Sequence, residues 1–174
     1  MENKENFYNV TEDLNNLVYV VRDCNLPDKL AQKYNVGMII REKGFCDATY
    51  IIGGMSTSHR FTILSNQFFD MSSFDEDNKG LCVTNKDARF KVLDKFTIND
   101  KTQITLLELP RNGKWKNFKD MTYIIEKRLA QDAREKFAIL SKAEPLPQQN
   151  TKAMLARFDS PLGMNDDGEM FPLE

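Results

Sequence analysis

From Ala88 through Phe90 and Val92, and again at Phe96 and Ile98, apolar residues take every second position. Arg89, Lys91, Lys95 and Thr97 occupy the alternate sites. That is the period of a strand with one buried face. Thr102 to Leu109, rich in β-branched and aliphatic residues, reads as the returning arm of a hairpin. A two-residue loop at Asn99-Asp100 would set Phe96 against Gln103. A three-residue loop, Asn99 to Lys101, pairs Phe96 with Ile104 and Leu93 with Leu107, and the hydrophobic pattern favours it.

Upstream, Leu14, Leu17, Val18 and Val21 recur at helical spacing. With Thr11 as cap and Glu12 and Asp13 in the first turn, they predict a helix up to about Cys24. Pro27 suits a first helical position, and Leu30, Ala31 and Tyr34 continue a second helix that Gly37 ends or interrupts. Met38-Ile39-Ile40 suits helix or strand. Ala48–Gly53 and His59–Ser65 read as strands, with Leu81–Thr84 as a shorter one. From about Asp120 to Ser141 the spacing predicts a helix with Met121, Ile124, Ile125, Leu129, Phe137 and Leu140 on one side. The expected fold is α+β: two N-terminal helices, an antiparallel sheet of about four or five strands, and one long C-terminal helix packed on the sheet.

Composition adds a boundary. Four of the six prolines and six acids against two bases lie from Ala143 onward, without a sustained period. This divides the chain into a domain at 1–142 and a Pro-rich acidic tail at 143–174, disordered or folded back. The net charge of -2 gives no whole-chain attraction to nucleic acid or anionic membrane. No apolar run is long enough to span a bilayer and no secretory leader opens the sequence, so the cytoplasm is the expected compartment. Three scattered cysteines, none in C-x-x-C spacing, predict neither a disulfide framework nor zinc, and no cofactor is called for.

Candidate chemistry lies in four places. His59, the lone histidine, follows the hydroxyl-rich Ser56-Thr57-Ser58, and with Asp94 and Glu108 it could form the acid–base set of a small hydrolase. Those two carboxylates fall on the same hairpin face in the expected register. Arg111, Lys114, Trp115 and Lys116 interleave bases with an aromatic, a pattern suited to nucleic acid or another anion. In the tail, Met154, Leu155, Phe158 and Phe171 are apolar residues that a protein partner could take up. Asp75 to Gly80 opens like a calcium loop, but lysines stand where oxygen ligands are needed, and no metal site is predicted. With no complete catalytic set, the favoured reading is a protein-binding module, such as one that inhibits or neutralises its partner. A nucleic-acid binder and the hydrolase are the alternatives.

Overall fold

The computed structural model describes residues 12–74, 76–120 and 122–174. Thr11, Asp75 and Met121 lie outside the described residues. Eight strands form one mixed sheet: β1 (Val18–Cys24), β2 (Ile39–Glu42), β3 (Cys46–Thr49), β4 (His59–Ser65), β5 (Phe69–Asp70), β6 (Leu81–Thr84), β7 (Ala88–Ile98) and β8 (Lys101–Glu108). Their order is β2-β7-β8-β4-β1-β3-β6-β5. Neighbours are antiparallel except β4 and β8, which run parallel. Among the described residues, three α-helices accompany the sheet: α1 (Asp28–Ala31), α2 (Ile124–Leu140) and α3 (Lys152–Phe158).

This corrects the expected α+β fold of two N-terminal helices, four or five antiparallel strands and one long C-terminal helix. The first predicted helix is the strand β1, paired along its whole length with β4 from Val18↔Ser65 to Cys24↔His59. The helical spacing there was a coincidence of a segment buried on both faces. Val20 enters one core and Tyr19 the other, so period alone does not decide between strand and helix. The β-branched run at Val18, Val20 and Val21 favours extended backbone.

One core lies between the sheet and α1. Val20, Phe61, Ile63, Phe90, Ile104 and Leu106 meet Leu30 and Tyr34 there, joined by Leu162 and Met164 of the C-terminal segment. The Tyr34 hydroxyl holds that segment in place, donating to the Leu162 carbonyl at 2.7 Å and accepting from its N–H at 2.9 Å. The opposite face packs Leu64, Leu93, Leu107 and Leu109 against Trp115, Phe118 and α2. Ile124 and Ile125, expected on the inner side of that helix, are exposed. Its buried residues are Glu126, Ala133 and Phe137. Glu126 forms an ion pair with Lys91 of β7 at 2.8 Å, both side chains almost fully buried.

The hairpin turn is the two-residue form. Asn99 and Asp100 both have positive φ, 52° and 58°, as a primed turn requires and as Asn and Asp tolerate. Phe96 therefore faces Gln103, and the mismatch is absorbed by a bulge. Val92 pairs with Leu106 and Asp94 with Thr105, leaving Leu93 as the extra residue. The bulge restores the apolar register below it.

After α2 the chain returns to the sheet through a parallel bridge between Gly54 and Pro145. Thr151 caps α3 by accepting from the Met154 N–H at 3.2 Å. That helix buries Met154 and Phe158 against Leu81.

Candidate functional site

Alternation along β1 places Val20, Arg22 and Cys24 on the face covered by the C-terminal segment. Arg22 is thus a cation inside the body, 4% exposed. Its Nη1 donates to the Asp47 carbonyl at 3.0 Å, and its Nη2 to the Ser160 carbonyl at 3.2 Å and the Ser160 hydroxyl at 2.5 Å. The guanidinium carbon stands 5.6 Å from the centre of the Phe158 ring. The Nε–H has no acceptor.

A cleft of about 260 Å³ opens beside Arg22, lined also by Glu42, Phe45, Pro161 and Phe171. Glu42 accepts from the Gly44 and Gly163 N–H groups, which fixes its carboxylate. Two lysines stand over the aromatics: Lys43 is 4.8 Å from the Phe171 ring centre and Lys86 5.1 Å from that of Phe45. The cleft therefore joins a buried arginine and two aromatic side chains, each with a lysine over its ring. A second depression, about 370 Å³, lies at the end of β1 among Asp23, Asn25, Thr57, Lys152 and Asp159. A third, about 240 Å³, shares Asn25 with the second and Pro161 with the first.

The cysteines on these strands are not nucleophiles. Burial pushes the thiols of Cys24 and Cys82 up to about 12 and that of Cys46 further still, so none ionises near neutrality.

The residues singled out from the sequence are dispersed. His59 begins β4, its Nδ1 2.8 Å from the Ser58 hydroxyl, and burial lowers its pKa, which favours the neutral ring. Asp94 and Glu108 lie on opposite faces of the sheet, because the Leu93 bulge reverses the alternation between them. Asp94 accepts from Arg134 of α2 at 3.0 Å. Glu108 accepts from the hydroxyls of Ser65 at 2.6 Å and Thr84 at 2.8 Å.

Arg111 donates to Gln67, to the Lys86 carbonyl and to Glu108. Lys114 pairs with Asp13 and Lys116 with Glu174, while Trp115 is buried beneath Arg89. Met154 and Phe158 are buried in their own domain. Leu155 lines the second depression and Phe171 the first. Among the described residues no cluster of three potential metal ligands occurs, and no helix is long and apolar enough to cross a membrane.

Arg22 is hidden in the sequence because the spacing of apolar residues through β1 is helical. Read as a strand, Val18-Tyr19-Val20-Val21-Arg22 puts the arginine in phase with Val20, and a cation in a buried phase is the signal for a site.

Glu108 yields a prediction. Burial raises its pKa above the ordinary carboxylate value, against the lowering effect of Ser65, Thr84 and Arg111. A carboxyl whose folded pKa is raised favours the fold below its unfolded pKa, and that contribution is lost as pH rises through the folded value. Urea unfolding of the wild type and of Glu108→Gln should therefore diverge with pH, the wild type losing ground to the variant as pH rises above the ordinary carboxylate range. A gap independent of pH would show that Glu108 titrates as it does in the unfolded chain.

No protein-family model and no curated protein matches the chain. Solved structures with a partly similar chain path exist. The type III effector XopAI from Xanthomonas axonopodis pv. citri superposes over 54% of this chain and 44% of its own, with 16% identity and a TM-score of 0.47. The ADP-ribosyltransferase HopU1 of Pseudomonas syringae pv. tomato DC3000 does so over 53% and 45%, with 16% identity and a TM-score of 0.45. Exoenzyme S from Pseudomonas aeruginosa, in complex with human 14-3-3 protein beta and bound to carba-NAD, covers 63% and 60%, with 15% identity and a TM-score of 0.47. The chain thus spans less than half the length of the first two. Superposition of this extent assigns this protein to no family.

The expectation of a protein-binding module, with a nucleic-acid binder or small hydrolase beside it, is corrected. Met154 and Phe158, the residues expected to meet a partner, are buried against Leu81. Within the fold, the basic segment is engaged internally, and the bulge separates the carboxylates of the supposed hydrolase.

Proposed function

We propose that the protein is a nucleotide-using enzyme whose site is the Arg22 cleft, and that ADP-ribosyl transfer from NAD is its reaction. The observation that carries this reading is the buried Arg22, with an N–H to spare, in a cleft flanked by Phe45 and Phe171. A guanidinium suits phosphate groups. The aromatic faces suit a base or a nicotinamide ring, and base–aromatic stacking is worth about 1–3 kcal/mol. Glu42, held by two backbone N–H groups, supplies a carboxylate in the same cleft. NAD is the first nucleotide to try, since its analogue is bound in the exoenzyme S structure.

Calorimetric titration with NAD should show binding that weakens roughly tenfold in Phe45→Ala. Phe45 is 59% exposed, so its removal spares the core. Incubation with NAD and an acceptor-protein extract should release nicotinamide. Binding without release would remove the transfer reaction and keep the nucleotide site. Absence of binding by NAD and by ATP alike would overturn both.

A further inference from the structure

A different cavity lies under α2, on the face of the sheet away from Arg22. It measures about 210 Å³, and Tyr19, Val21, Ile52, Phe137 and Leu140 make most of its wall. Arg60 and Gln103, on the adjacent strands β4 and β8 and paired in register, complete the wall. Both are nearly inaccessible, at 1% and 2%.

Each has one donor left over. Arg60 gives Nε and Nη2 to the carboxylate of Asp23 at 2.6 and 2.8 Å, and Nη1 has no acceptor. Gln103 accepts from the Thr62 hydroxyl at 2.7 Å, and its Nε2 has no acceptor. A buried donor without a partner is costly, and here the two residues that carry one line the same small cavity. Water is a poor solution here. It could accept both N–H groups, but it must also place two hydrogens of its own, and a wall made mostly of Tyr19, Val21, Ile52, Phe137 and Leu140 offers few acceptors for them. An oxygen that carries no hydrogen has no such difficulty.

We propose that this cavity binds a small apolar molecule carrying one acceptor oxygen, a carbonyl or a carboxylate, which takes the N–H groups of Arg60 and Gln103. The Arg60–Asp23 pair is neutral as a unit, which suits a ketone. Lys136, 3.7 Å from the ring centre of Tyr19 at the same cavity, gives a carboxylate a counter-charge. The volume fits a fragment-sized ligand, below the usual range for drug-sized ones. The inference does not depend on the Arg22 cleft.

Three probes test it: isobutylbenzene, which has no acceptor, butyrophenone, which adds a carbonyl, and 4-phenylbutyrate, which adds a carboxylate. Each is titrated into the full chain while the methyl signals of Val21, Ile52 and Leu140 are followed by NMR. The expected result is shifts confined to this cavity, with one or both oxygen-bearing probes binding at least about tenfold tighter than isobutylbenzene. A tighter ketone would identify the ligand as neutral, and a tighter carboxylate as anionic. Gln103→Met should reduce the advantage to about threefold or less. Because that change also strips the Thr62 hydroxyl of its acceptor, Leu140→Phe serves as a second variant. It fills the cavity and should abolish the shifts while the melting temperature holds. Equal affinity for all three probes, or no methyl shift with any, would overturn the proposal.

Discussion

Replacing Asp23 by Ala is expected to lower stability by about 3–5 kcal/mol, among the largest effects open to a single side chain in this fold. Asp23 and Arg60 face each other directly across β1 and β4, and the carboxylate receives two of the guanidinium's nitrogens. Their side chains are 7% and 1% exposed. Without Asp23, Arg60 keeps the Gly54 carbonyl, at 3.3 Å, as its acceptor. The loss comes chiefly from a charge stranded beneath α2, rather than from the attraction removed. Two variants separate these contributions. Asp23→Asn keeps an acceptor and should lose less than Asp23→Ala. The pair Asp23→Leu with Arg60→Met removes both charges together and should recover much of the loss, as apolar replacement of buried pairs often does. Urea unfolding reads all three, and an unchanged slope would show that the unfolded state is unaffected. A loss below about 1 kcal/mol for Asp23→Ala would mean that Arg60 relaxes to solvent, and that the region under α2 is more open than its burial implies.

The pair also shows what the sequence could and could not reveal. Asp23 and Arg60 are 37 residues apart and become neighbours only once β1 is known to be a strand. The hairpin Ala88–Glu108 was legible because its first arm alternates cleanly, and each arm is a strand. Its turn was not legible, because a register argument assumes an unbroken ladder and Leu93 breaks it. β1 was misread because burial on both faces erases alternation. The C-terminal segment carries no period for another reason: Leu162 and Met164 dock singly onto the sheet from irregular backbone. Such burial is set by tertiary contact and leaves no spacing to read. The Arg22 cleft inherits both difficulties. Its floor is the misread strand and its cover the aperiodic segment, whereas the sites expected from the sequence came from isolated residues with reactive side chains.

Gly54→Ala should be the other severe substitution, and comparison with two further glycines gives the reason. The β-carbon added at Gly54 would overlap the Ala143 carbonyl oxygen, a backbone atom with no rotamer to escape by. Gly54 also donates its N–H to the Glu144 carbonyl at 3.2 Å and bridges to Pro145. Alanine there forces residues 143–145 off the sheet and breaks that hydrogen bond. The loss should exceed the roughly 1–3 kcal/mol usual for overpacking. At Gly53 the nearest atoms, at 2.5 and 2.8 Å, belong to the side chains of Leu146 and Gln149, which can rotate. Gly53→Ala should stay within that range. Gly37 has open space around it but a φ of +91°, so Gly37→Ala should lose only about 1 kcal/mol of backbone strain. The expected order of midpoints is therefore Gly37→Ala above Gly53→Ala, with Gly54→Ala far below both. Protease digestion supplies the second readout. If residues 143–149 are held through Gly54, Gly54→Ala should be cut there first, while the hairpin Ala88–Glu108 stays intact. Uniform cleavage with an unchanged melting temperature would show that the C-terminal segment is held by its other contacts, those of Tyr34 with Leu162 among them, and that the bridge at Gly54 contributes little.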